Sequence, residues 1–277
     1  MDFVDTQRIA WTGPLDHRDG GVEFCTLFTG EPGEPDNYML SLVRVRTNYH
    51  APPHRHNFDQ VRLILEGKFG FGPQDQEAGQ VGYFCEGTVY TQRGDGPSLT
   101  LLLQTANASR SRYLSMQELD AANRGLLALG TGRFEHGTYV SEVDGKKSRR
   151  DGFEAAWEHA TGEQIRYSKP RYDRPVIMDP ERFAAVAVPA SPGVRRKLLG
   201  TFSERELAIG FFEIDAGASW NATTLGHPQM LFYVTAGTGD VAGQSFRPGV
   251  GVRLRGKEIA TVAAREPTSL FYLGMPK

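Results

Sequence analysis

The run Tyr49-His50-Ala51-Pro52-Pro53-His54-Arg55-His56-Asn57-Phe58-Asp59-Gln60, continuing into Val61-Arg62-Leu63-Ile64-Leu65-Glu66-Gly67, decides how the rest of the chain reads. It holds three of the seven histidines. His54 and His56 stand one residue apart at the mouth of an apolar stretch that ends on Gly67, and an extended chain turns every second side chain to the same face. Two neutral imidazoles on one face are a natural start to a metal site, because imidazole ligates Zn, Fe, Cu and Ni. The competing reading is a pair of solvent-facing histidines after a Pro-Pro turn. Gln60, four residues after His56, adds a third polar group at the start of the strand.

Outward from this run the chain reads as short strands. Val22 to Phe28, Tyr38 to Val45, Val61 to Glu66 and Leu99 to Gln104 are apolar and β-branched, with Gly, Pro, Asn and Asp between them. Gly79, Cys85, Gly87 and Tyr90 mark another glycine-bounded strand and turn. Near Ser115 the texture changes. Ser115-Met116-Gln117-Glu118 is a capping-box pattern ahead of Leu119, Leu126 and Leu127, and Gly130 is placed to stop that helix. Asp151-Gly152-Phe153-Glu154 opens a second helix, in which Phe153 and Trp157 share a face and Gly162 marks the end. Asp179-Pro180 and Ser191-Pro192 read as caps of short helices with Pro at the first position.

The last stretch repeats the first. An offset of 170 residues sets Gln229 to Gly237 beneath Asp59 to Gly67, Gly249 beneath Gly79, and Leu270-Phe271-Tyr272-Leu273 beneath Thr100-Leu101-Leu102-Leu103. The same offset sets Thr224 beneath His54, Gly226 beneath His56, Met230 beneath Gln60 and Ala260 beneath Tyr90. The second copy thus keeps the strands and loses the polar groups, and His227 stands alone beside it.

A chain of 277 residues is comfortable for two domains without covalent staples. Two cysteines, Cys25 and Cys85, make neither a disulfide framework nor a thiolate metal cluster. The formal charge of -2 gives no basic field for nucleic acid, and no stretch reads as a signal peptide, a membrane span or a membrane-surface helix. The expectation is a soluble cytoplasmic protein that meets a small-molecule substrate, with no nucleic-acid or membrane partner.

The spacing of His54, His56 and Gly67, followed by Gly79 and Gly87, resembles the two motifs of the cupin superfamily, G-x5-HxH-x3/4-E-x6-G and G-x5-PxG-x2-H-x3-N. The ligand positions depart from it. Asn48 replaces the first glycine, Gln60 the glutamate, Cys85 the proline, Tyr90 the third histidine and Gly94 the asparagine. The resemblance implies an all-β fold of two cupin-type β-sandwich barrels, a double jelly roll, with a partly helical connector. The expected division is residues 1–114 for an N-terminal barrel with the site, 115–191 for the connector and 192–277 for a degenerate C-terminal barrel. Pairing through edge strands, common in that family, implies a homodimer or an intramolecular equivalent between the copies.

The expected site is a divalent metal held by His54 and His56. Gln60 joins as a ligand through its carbonyl oxygen or as an outer donor, and Tyr90 as a phenol ligand or a wall of the pocket. His50 is an alternative third imidazole. Mixed N and O ligands with open positions suit Fe(II) first, then Zn, Mn or Ni. The implied activity is an O2-dependent oxygenase acting on a small organic molecule, tuned by Gln60 and Tyr90. The alternatives are a redox-neutral isomerase, cyclase or hydrolase, and a small-molecule-binding cupin without catalysis.

Overall fold

Strand Asp59–Glu66, which continues the His-rich run, lies between Val81–Phe84 and Ser98–Thr105 in a six-stranded sheet. Tyr38–Val45 and Val22–Thr29 extend one side of it, and Val176–Met178 closes the other. A four-stranded sheet of Asn48–His54, Tyr90–Asp95, Lys68–Phe71 and Gln74–Glu77 supplies the second layer of this unit. Side chains of both sheets line one interior cavity, so the layers face each other as in a sandwich. In this computed structural model, residues 1–13, 16–17, 21–34, 36–106, 108–109 and 111–277 are described. No helix among them is long and apolar enough to cross a membrane.

The chain divides into two units, Ala10–Ile177 and a second built from Met1–Ile9 together with Met178–Lys277. The boundaries differ from the three-part division expected from the sequence. Residues 115–177 are integral to the first unit, because their helices share its core. α1 (Met116–Ala128) and α2 (Gly152–Thr161) bury Leu119, Leu126, Phe153 and Trp157 in one cluster with Met39, Phe58 and Tyr113. Both helices begin and end as read. Ser115 and Glu118 form the reciprocal capping box of α1. The Asp151 carboxylate accepts from the backbone N–H groups of Phe153 and Glu154 at the start of α2, and Gly162 ends it with a left-handed φ of 70°.

Between the helices lies a three-stranded sheet that was not foreseen, Gly132–Glu135, Thr138–Val143 and Lys146–Asp151. Its outer strand Lys146–Asp151 carries Lys146, Lys147, Arg149 and Arg150, all exposed, which hides any alternation and blocks further strand pairing at that edge. Asp179-Pro180 opens a 3-10 turn, Pro180–Arg182, as expected. Ser191-Pro192 does not open a helix. Its turn closes after the Val194 N–H bonds to the Ser191 carbonyl, because Gly193 adopts a φ of 74° and sends the chain into strand Val194–Phe202.

The second unit repeats the plan. Gln229–Ala236, Thr268–Gly274, Leu207–Ile214 and Val194–Phe202 form the body of a seven-stranded sheet, faced by Ser219–Ala222, Ala260–Ala264, Gly239–Val241 and Gln244–Phe246. The 170-residue offset extends to irregularities. Leu65 is an extra residue in the pairing of Asp59–Glu66 with Ser98–Thr105, and Thr235 is the extra residue in the pairing of Gln229–Ala236 with Thr268–Gly274. Gly67 and Gly237 follow these bulges with φ of 77° and 85°. A Cβ on either would lie 2.4 Å from a proline carbonyl oxygen, Pro97 in one copy and Pro267 in the other. One edge of the seven-stranded sheet is the short strand Asp2–Asp5, paired with Val250–Arg255 from Asp2 opposite Arg253 to Asp5 opposite Val250.

Candidate functional site

The strand alternation that buries Ile64 with Phe69, Phe71, Phe84 and Tyr90 turns Gln60 and Arg62 to the same interior face. The interior of the first unit holds a cavity of about 100 Å³. Its floor is apolar, with Phe24, Val43 and Leu102 from the six-stranded sheet and Phe69 from the other. Met116 and Leu119 of α1 and Phe153 of α2 complete the wall, so the segment read as a connector shapes the cavity. Polar groups enter at His56, Arg62, Gln92, Gln104, Thr100 and His17.

His54 and His56 are both buried, at 7% and 5% exposure, which sets aside the solvent-facing reading. His54 Nδ1 lies 2.8 Å from the Pro52 carbonyl oxygen. A carbonyl can only accept, so Nδ1 carries the proton and Nε2 keeps the lone pair, facing the Gln92 amide at 3.4 Å. The His56 ring stacks on Phe58 at 4.6 Å and meets the edge of Phe153 at 5.2 Å, which fixes its plane. The two imidazole centroids are 5.2 Å apart and the rings nearly perpendicular. His50 does not join them. A bulge between Ala51 and His54, at the two prolines, reverses the alternation and leaves His50 exposed.

Gln60 and Tyr90 meet each other. The Gln60 amide donates to the Tyr90 hydroxyl oxygen at 2.7 Å, and its carbonyl oxygen accepts from Arg62 at 2.8 Å. Tyr90 also stands 4.8 Å, ring to ring, from His54. The Arg62 guanidinium is held from behind by aromatic faces, with its carbon 5.0 Å from the centroids of Phe71 and Phe84. A metal ion coordinated by Gln60 would share that oxygen with a permanent cation, which opposes a ligand role. The two imidazoles do fit a divalent ion, since the bond from His54 to a backbone carbonyl is the outer-shell contact that orients a ligating histidine. No third His, Cys, Asp or Glu forms a metal-holding group with them among the described residues.

Sequence reading missed Arg62 as a site residue, although its spacing of two from Gln60 was the available signal. It also missed Asp59 on the opposite face. Its carboxylate is 1% exposed and accepts from the Glu86 backbone N–H at 2.9 Å and the Tyr83 hydroxyl at 2.8 Å. Burial outweighs those two bonds, and the nearby Glu86 charge adds to it, so the Asp59 carboxyl is pushed up to about 7. The same burial, with the Asp59 charge, pushes the Tyr83 phenol upward. Glu158 of α2 accepts from Arg150 and from the Ile165 backbone N–H.

The equivalent positions of the second unit are empty of such groups. Met230 and Ala260 are buried in an apolar core, Thr224 donates to the Gly256 carbonyl, and Gly226 turns with a φ of 83°. The space between its sheets is about 20 Å³, walled by side chains such as Phe232, Leu254 and Val262. His227 bonds through Nδ1 to the Met275 carbonyl, and burial lowers its pKa.

No protein-family model matches the chain, and no curated protein sequence matches it either. Solved structures do match in fold. A candidate dioxygenase from Nostoc punctiforme superposes with a TM-score of 0.64 at 9% identity, covering 98% of this chain and 81% of its own. Oxalate decarboxylase from Bacillus subtilis superposes with a TM-score of 0.57 at 12% identity, covering 99% of this chain and 76% of its own. Another structure of that decarboxylase, described by its Mn(II) centres, gives 0.56 at 12% identity over 99% and 77%. Two barrels in one chain, repeated at a constant offset and matched end to end by these proteins, make the chain a two-domain cupin in fold.

Proposed function

We propose that the first barrel is a metal-dependent enzyme site for a small organic molecule, with His54 and His56 holding the ion. The observation that carries this reading is the orientation of His54. Its Nδ1 is spent on the Pro52 carbonyl, which leaves the lone pair on Nε2, and the His56 ring stands 5.2 Å away, centroid to centroid. The likeness to a candidate dioxygenase and to a decarboxylase with Mn(II) centres supports a divalent metal and leaves the reaction open. Fe(II) acting with O2 remains the first choice, with Mn, Zn or Ni and a redox-neutral isomerisation, cyclisation or hydrolysis as the alternatives.

When bound, such an ion supplies Lewis acidity or, as Fe(II), one-electron chemistry with O2. The chain's own residues do the rest. Phe58 and Phe153 fix the His56 plane. In its outer-donor role, Gln60 holds the Tyr90 hydroxyl at 2.7 Å, and the Tyr90 ring stands 4.8 Å from the His54 ring. Phe24, Phe69, Leu102 and Leu119 give the cavity an apolar lining around its polar groups.

Elemental analysis of protein purified without added metal tests this. Near-stoichiometric metal, lost in the His54→Ala, His56→Ala double variant, is the expected result. Metal retained by that variant refutes the ligand assignment. Oxygen uptake with candidate substrates then separates the oxygenase from redox-neutral chemistry. The guanidinium on the Gln60 oxygen favours one second reading, a barrel that binds a small molecule without catalysis. Protein that carries no metal as isolated and takes up none would support it.

A further inference from the structure

Gln92 stands two residues beyond Tyr90 on strand Tyr90–Asp95, and the alternation of that strand buries both side chains. It lines the cavity together with His56, and its amide nitrogen lies 3.4 Å from Nε2 of His54. Among the described residues this is the one hydrogen-bond contact of the Gln92 side chain. It is a long one, since donor and acceptor usually stand about 2.7–3.2 Å apart. The spacing fits a different relation. Two atoms that share one ion in a tetrahedral array, each at about 2.1 Å from it, stand roughly 3.4 Å from each other. A half-turn of the terminal amide puts its oxygen where its nitrogen was, and the rest of the side chain need not move. Gln60 has no such freedom. Its nitrogen is committed to Tyr90 and its oxygen to Arg62, so a half-turn would break both bonds and set its amide nitrogen against the guanidinium.

From this geometry we infer that Gln92 is the third protein ligand, giving its side-chain oxygen to the ion that His54 and His56 hold. Gln92 takes this role only if those two histidines bind a metal as proposed. The ligand set is then two imidazoles and one neutral oxygen. Without a carboxylate among the ligands, the whole charge of the ion acts on a molecule bound at its open positions. Gln92 also lines the cavity, so the same residue ties the ion to the space where a substrate would sit. The opposite role has its own chemistry. An amide nitrogen that donates to Nε2 of His54 occupies the lone pair a metal needs, and Gln92 would then compete with the ion. The two roles predict opposite effects of removing the amide.

Titration of the whole protein with Zn(II), after chelator treatment and in competition with a chromogenic chelator, reads this without any assay of activity. Zn(II) is the probe because sites of nitrogen and oxygen ligands hold it more tightly than Fe(II) or Mn(II). Gln92→Leu keeps the approximate volume and removes both polar ends. Residues that only orient a ligand cost about ten- to a hundredfold in metal affinity, so loss of a ligand should weaken Zn(II) by about a hundredfold or more. Gln92→Glu keeps an oxygen in place and adds a charge, and it should bind Zn(II) at least as tightly as the unaltered protein. Affinity unchanged or raised in Gln92→Leu would overturn the inference, because removing a competitor frees Nε2 of His54. Weaker binding by Gln92→Glu would overturn it too, and this near-isosteric variant decides the matter if Gln92→Leu does not fold. Zn(II) lost from the His54→Ala, His56→Ala variant and kept by Gln92→Leu would leave the paired histidines as the site and remove Gln92 from it. Unaltered protein that takes up no Zn(II) would overturn both ideas.

Discussion

Alanine at Gly67 should destabilise the first unit far more than alanine at Gly72, and the difference can be estimated from contacts. Both glycines have left-handed backbone, with φ of 77° and 60°. An L side chain in that region costs on the order of 1–2 kcal/mol. A Cβ at Gly72 would meet nothing within 4 Å, so Gly72→Ala should cost that much alone. At Gly67 the same atom would lie 2.4 Å from the Pro97 carbonyl oxygen and 3.1 Å from the Ser98 Cα. Real Cβ atoms do not approach backbone this closely, and the obstacle is a strand entry that must stay paired. Relief requires a backbone shift approaching 1 Å beside the Leu65 bulge, and the total should reach about 3–5 kcal/mol. For a unit of this size 1 kcal/mol moves the midpoint by about 2–4 °C, so the pair should differ by roughly 5–10 °C in differential scanning calorimetry. Gly237→Ala, with the Pro267 carbonyl at 2.4 Å, and Gly243→Ala, with open space, form the matching pair in the second unit. Equal losses for Gly67→Ala and Gly72→Ala would refute the steric reasoning.

Two further outcomes follow from the buried polar groups. Asp59 holds its proton in the folded state up to about pH 7, whereas the unfolded chain releases it near 3.8. Its contribution is therefore complete below that lower value and is lost as pH rises to about 7, a span worth on the order of 4 kcal/mol. Asp59→Asn should flatten the fall in urea midpoint between about pH 5 and 7, and an unchanged slope would exclude Asp59 as its source. His227→Ala should leave metal content as it is, because that ring bonds to the Met275 carbonyl in the second unit, apart from the paired histidines. Metal lost with His227 and kept without His56 would move the site to the second unit.

The double architecture was legible because its signals are local. Gly67 and Gly237 are required by their own φ, and the strands before them by β-branched runs, so the offset could be counted without knowing any tertiary contact. The capping box at Ser115 and the stop at Gly162 were legible for the same reason. What those helices cover was not, since Phe153 on the His56 ring is a contact across about a hundred residues. His50 failed through the bulge at Pro52-Pro53, which no period of two can foresee. Arg62 failed through expectation, because a strand interior is assumed apolar until the pocket around it is seen.

The pairing of Asp2–Asp5 with Val250–Arg255 bears on how the chain is made. The bond from Arg253 to Asp2 spans 251 residues, so the first strand leaves the ribosome long before its neighbour exists. At ordinary rates of roughly 5–20 residues per second it waits between about ten seconds and a minute while the whole first unit has time to fold. An unpaired strand in a crowded cell is an invitation to wrong partners. Here the segment is short and carries an aspartate at each end. Those charges keep it solvated during the delay and afterwards pair with Arg253, Arg255 and Arg247. The pairing of this strand with Val250–Arg255 is thus gated by elongation of the chain between them.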